Sequence, residues 1–163
     1  MIEQIFNALS YIGQGPALFL VSMIPLIELR GSVILGAALQ MPWTQVLPIC
    51  IIGNLLPIPF VLIFGKKLID WLKTVPMLSG LAHRYEEKLL SKRDQVEKYA
   101  TWGLCLFVAI PLPGTGAWSG AALASILGMR IKHSLPAIAL GVCIAGIIMT
   151  VSSYGLLTAI RLF

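Results

Sequence analysis

Glu28 and Arg30 are the only charged side chains deep inside an apolar block of this sequence. A charge surrounded by hydrocarbon is costly, so it ordinarily faces a cavity and takes part in function. The alternative is that the two pair with each other and serve structure alone. Residues at i and i+2 do not share a helix face. Both could reach one cavity only across irregular backbone, which Pro25 and Gly31 permit. The second chemical candidate is Pro111-Leu112-Pro113-Gly114-Thr115-Gly116. Two prolines and two glycines in six residues will not continue a helix. If this turn starts a new helix, its amides are unpaired donors, and with Thr115 and Ser119 beside them they form an anion site. Gly31 and Ser32 offer the same after the first break. Two positive helix ends plus Arg30 would favour an anionic group such as phosphate. A bulky side chain at Gly114 is expected to block the place where the breaks meet. Asn54 is a weaker candidate, lining a path or bonding between helices.

The elements that must position these residues follow from composition. Of 163 residues, 58% are hydrophobic and 12% charged, with mean hydropathy +0.89. Those values exclude a soluble enzyme domain and a disordered tail, and point to a polytopic helical membrane protein. The net charge of +5 does not indicate nucleic acid. Eight of the twelve Lys and Arg residues lie in residues 65–100, between apolar blocks, the pattern of a cytoplasmic loop. Cys50, Cys105 and Cys143 sit in apolar runs without pairing or metal-ligand spacing. No cofactor, metal site or enzymatic constellation is expected. The N-terminus lacks the basic start of a cleavable signal.

Residues 99–129 carry no charge but are too many for one membrane crossing and too few for two. A re-entrant hairpin, turning at Pro111–Gly116, fits that length. Residues 15–40 form a comparable block broken at Pro25 and around 28–31, and residues 46–64 supply one full span. The competing reading keeps the broken blocks as kinked complete spans. An offset of 88 positions aligns Leu18/Leu106, Phe19/Phe107, Pro25/Pro113, Leu47/Leu135, Pro48/Pro136 and Gly53/Gly141. The order of parts repeats as well: broken hairpin, short polar loop, Leu-Pro, full span. One crossing per unit makes the second unit inverted, an arrangement found in transporters with the site where the breaks meet. The expected fold is therefore an all-α polytopic membrane protein of two inverted repeats in a single domain. Residues 1–14 form an interfacial helix, 15–64 the first repeat, 65–98 a basic cytoplasmic helical linker and 99–160 the second repeat. Both termini are expected outside. Gly116, Gly120, Ala124 and Gly128 recur every four residues, a face suited to close helix packing in lipid or to a homo-oligomer.

The segments Ile24-Pro25-Leu26-Ile27-Glu28-Leu29-Arg30-Gly31 and Ile110-Pro111-Leu112-Pro113-Gly114-Thr115-Gly116-Ala117-Trp118 together resemble the small multidrug export protein family of bacteria and archaea. That family looks like a distant relative of the DedA/VTT superfamily. The resemblance implies a place in the cytoplasmic membrane, two opposed re-entrant hairpins and proton-dependent movement of undecaprenyl phosphate or another lipid. It also implies Glu28 as the proton carrier, Arg30 as the phosphate contact and Pro111–Gly116 as the opposing tip. The expected activity is a small secondary transporter or lipid translocase for an amphiphilic anion. Export of cationic drugs, with Glu28 as the exchanging carboxylate, is the alternative. A non-transporting membrane assembly protein is a third class.

Overall fold

Proline and glycine decide where the helices stop. A computed structural model of the chain describes residues 13–73, 93–112 and 114–162, and every regular element among them is a helix. These are α1 (Gln14–Ser22), α2 (Glu28–Ala38), α3 (Trp43–Leu55), α4 (Ile58–Lys73), α5 (Arg93–Ala109), α6 (Ala117–Ile126) and α7 (Ile131–Leu162). The expected helix at 1–14 lies, but for its last two residues, outside the described residues. So do linker residues 74–92 and Pro113. Residues 93–98, expected as the end of the linker, are continuous with the first arm of the second block in α5.

Pro25 has no amide hydrogen and disfavours helix at Ile24. The chain turns there, with the Met23 amide bonded to Leu20 O and the Glu28 amide to Ile24 O at 2.9 Å. The nine residues of α1, the eleven of α2 and the ten of α6 reach only about 14–17 Å at 1.5 Å per residue. None alone crosses a hydrocarbon core of about 30 Å. Among the described residues, two stretches are long and apolar enough to do so, Trp43–Gly65 and Ile131–Leu156. The first is α3 and α4 joined at Leu56-Pro57, where the missing proline donor opens the helix. Only 33% and 44% of these stretches is buried within the protein. A soluble core helix would be mostly enclosed; here Phe60, Phe64, Leu106, Ile147 and Val151 face outward, a surface suited to lipid.

The core joins all seven described helices. Leu18, Leu29, Val33, Val46, Ile58, Val108, Ile138 and Val142 are buried together in one cluster. Helices α1 and α5 pack on α3 and α7 respectively, while α2 packs on α7 and α6 on α4. Both α2 and α6 end in the same cap. Met41 N–H bonds Gly36 O at 3.1 Å and Gln40 N–H bonds Ala37 O at 3.0 Å, with Gln40 at φ 58°. Met129 N–H bonds Ala124 O at 3.0 Å and Gly128 N–H bonds Ser125 O at 3.1 Å, with Gly128 at φ 63°. These are Schellman caps closed by a buried methionine. Tyr154 Oη donates to Met41 O at 2.7 Å. The first cap thus lies at Tyr154 and the second at Ile131, about 35 Å apart along α7.

Gly53 stands where α3 meets α1, and Gly141 where α7 meets α5. A Cβ on Gly53 would come 2.7 Å from Phe19 O, and one on Gly141 would come 2.7 Å from Cys105 O and 2.8 Å from Val108 Cβ. Backbone cannot yield as a side chain can. Gly53→Ala and Gly141→Ala should each cost about 1–3 kcal/mol through overpacking. The check is the thermal midpoint in detergent; no fall for either would mean that these helices are not locked at those crossings.

Candidate functional site

The first break delivers its two charges to the second. Glu28 opens α2 with φ 51°, a left-handed conformation that costs a non-glycine residue about 1–3 kcal/mol. Its side chain is buried. The carboxylate oxygen Oε1 accepts the Trp118 amide at 3.2 Å, and the Ala117 amide faces the same group. Helix α6 has Gly116 at its N-cap and no capping side chain of its own. An N-cap side chain ordinarily accepts the amide of the second or third helical residue. Here a glutamate 88 positions earlier takes that part, and its negative charge sits at the positive end of α6. Gly116 is what makes room, since any Cβ there would collide with the carboxylate.

Arg30 treats the other side of the turn in the same way. Its guanidinium donates to Leu112 O, to Ile110 O at 3.0 Å, to Thr115 Oγ1 at 2.9 Å and, more weakly, to Val108 O at 3.4 Å. Those carbonyls are at and beyond the end of α5, where a helix leaves its last acceptors unpaired. Thr115 Oγ1, which accepts from Arg30, lies 2.7 Å from Ile110 O and 2.9 Å from Leu112 O as donor. The acid therefore serves the amide end of one helix and the base the carbonyl end of its predecessor. Each complements the local dipole.

A small cavity of about 10 Å³ adjoins this junction, room for a single water. Leu29, Val108, Val142 and Ala145 form its apolar wall, while Glu28, Arg30 and Asn54 supply polar groups. Asn54 is 2% exposed, and its Oδ1 accepts no hydrogen bond. It stands near the end of α3, three residues before Pro57, and lines the cavity opposite the first break.

Of the residues singled out from sequence, the structure brings Glu28, Arg30, Thr115, Gly116 and Asn54 together. Gly31 N–H is used inside the first helical turn, on Ile27 O at 3.0 Å, and Ser32 Oγ donates to Glu28 O at 2.8 Å. Ser119 Oγ bonds Gly116 O at 3.3 Å. Pro111 is half-buried at the turn. Gly114 is exposed at φ 83°, with open space where a Cβ would be. The close approach of the two breaks lies at Gly116 and not at Gly114, because Gly116 faces inward as the N-cap. Four participants outside the Pro111–Gly116 turn were not singled out from sequence as site groups: the Ala117 and Trp118 amides and the Val108 and Ile110 carbonyls. Capping arithmetic from Gly116 points to the amides, as the first two helical residues; nothing local marks the carbonyls.

No curated protein and no solved structure matches the chain. A family model described as "Putative small multi-drug export protein" matches residues 28–148. That stretch begins on Glu28 and includes both sides of the junction, Asn54 and the cavity wall on α7. By this match the chain belongs to the small multi-drug export protein family, and it is a membrane protein.

Proposed function

We propose that this membrane export protein is a proton-coupled carrier of an amphiphilic anion, working where the two chain breaks meet. One observation carries the reading: the Glu28 carboxylate occupies the amide end of α6, with Arg30 two residues away. A place that holds the protein's own carboxylate suits a substrate phosphate or carboxylate. In this cycle a proton neutralises Glu28, the side chain leaves the α6 amides, and the anionic head of the substrate replaces it. A polyprenyl phosphate has the required chemistry. A cavity of about 10 Å³ does not admit such a molecule, so the junction opens for passage.

The same reading makes residues 15–40 and 99–129 re-entrant hairpins within two inverted repeats. The short α1, α2 and α6 support it, as do the matching caps at opposite ends of α7. Glu28 and Gly116 are 88 positions apart and touch; Asn54 and Val142 are 88 apart and line one cavity. A two-fold axis relating the repeats would bring equivalent residues together in this way. Residues 65–98 are then cytoplasmic and both termini outside, in keeping with the basic linker. The likeness to the DedA/VTT superfamily belongs to this proposal too. A second reading, exchange of a cationic drug for a proton on Glu28, is favoured by the family's description.

Vesicles reconstituted with the protein, carrying a fluorescent lipid phosphate or a cationic dye, test these readings. Glu28→Gln should abolish movement driven by a pH gradient. Movement that survives the substitution would remove Glu28 as the coupling group. Dye transport without lipid-phosphate transport in the unsubstituted protein would replace the anion reading by drug exchange.

A further inference from the structure

Asn54 is a polar side chain almost wholly enclosed in an apolar wall, and its carbonyl oxygen lacks a donor. Such an orphan is costly, on the order of 1–3 kcal/mol, unless something unseen satisfies it. The cavity it lines has the volume of one water, and the other polar groups there are Glu28 and Arg30. Arg30 turns Nη1 and Nη2 to the carbonyls of the turn and to Thr115. The ionised Glu28 has no hydrogen to give. When protonated, it has one. We propose that Asn54 is the hydrogen-bond acceptor of a proton site on Glu28, reached through one water in the cavity that both residues line. The inference rests on the proton-coupled reading above but assigns a second residue to it.

The step balances simply. A proton from bulk water adds to the carboxylate, and the new O–H donates to the cavity water. That water donates to Asn54 Oδ1. On release the proton returns to bulk water and Glu28 recovers its bond from Trp118. Among the described residues, Arg30 is the only other titratable group lining the cavity; the α3, α5, α6 and α7 residues there contribute none. The site is one-sided. The residue 88 positions after Asn54 is Val142, which lines the same cavity without any polar atom.

An acceptor that favours the neutral acid makes the proton bind more tightly. Its loss should move the midpoint of Glu28 protonation to lower pH by about one unit. The midpoint is read by infrared titration of the carboxylic-acid band in purified full-length protein, the Glu28 band being the one absent from Glu28→Gln. Asn54→Val removes the acceptor, while Asn54→Thr keeps an oxygen on nearly the same shape. The expected result is an acidward shift for Asn54→Val and a midpoint close to the unsubstituted protein for Asn54→Thr. Equal midpoints for both variants, whether shifted or not, would overturn the assignment, since a merely structural role affects both alike. Should Asn54→Val fail to fold, the band position in the unsubstituted protein decides: that of a free acid refutes the site and that of a hydrogen-bonded acid supports it. The titration needs no transport. A proton site with these properties in a protein that moves nothing would fail the carrier reading and leave the assignment standing.

Discussion

Gly116→Ala should lower transport by about tenfold or more while the protein still folds. The added methyl would lie 2.6 Å from Glu28 Cδ and 2.8 Å from Oε1, well inside contact distance. The atoms in its way end a side chain, so the carboxylate moves and the backbone stays. Moving it breaks the bond from Trp118, a hydrogen bond to a charged group worth about 1.5–3 kcal/mol. It also takes Glu28 from its place at the start of α6, and small displacements of a working group are expensive in rate. Gly114→Ala is the control, because nothing stands where its Cβ would be; only the positive φ there adds strain, about 1 kcal/mol. Flux in vesicles alongside the thermal midpoint checks both. Equal transport by the two variants would mean that the contact between Glu28 and Gly116 is not part of the pathway.

Arg30→Ala is expected to have the larger effect on stability. It removes at once the charged bonds to Ile110 O, Leu112 O, Val108 O and Thr115 Oγ1, leaving Ile110 O and Leu112 O with only the Thr115 hydroxyl and the Leu112 and Thr115 amides. Hydrogen bonds from a charged donor are worth about 1.5–3 kcal/mol each, so the turn should loosen and the thermal midpoint should fall. Arg30→Lys should recover part of this, since a single ammonium cannot reproduce the planar fork. Binding separates the two transport readings. An anionic lipid headgroup should bind more weakly to Arg30→Ala, whereas a cationic dye should bind as before or more tightly, having lost a repelling charge. Tighter dye binding with lipid-phosphate binding untouched would favour drug exchange. A midpoint unchanged in Arg30→Ala would show that the turn holds without this side chain.

Several of these assignments were legible before any fold was known. An apolar chain with charge gathered in one stretch reads as membrane helices and a basic loop, because hydrocarbon excludes unpaired charge. Pro25 and the Pro111–Gly116 turn read as breaks, because proline has no amide to give. Glu28 and Arg30 were conspicuous for the same reason that made them costly. The 88-residue offset was visible in residues such as Gly53 and Gly141, which both lie at tight helix crossings.

Other features depended on distance in space. The sequence offered the amides at Gly116 as open to an outside anion, yet Glu28 of the same chain bonds there. Arg30, conspicuous as a phosphate contact, is the donor for a turn more than 75 residues away. The choice between Gly114 and Gly116 as the tight position could not be read from two glycines two apart; it follows from which one faces the neighbouring break. Asn54 was one polar residue in an apolar run until the packing of α3 against the other helices set it on the cavity beside Glu28. Composition, hydropathy and proline positions determine where the helices are and where they stop, because those are local costs. Which unpaired amide or carbonyl meets which charge is a long-range matter, decided only when α2, α3, α5, α6 and α7 pack around one point.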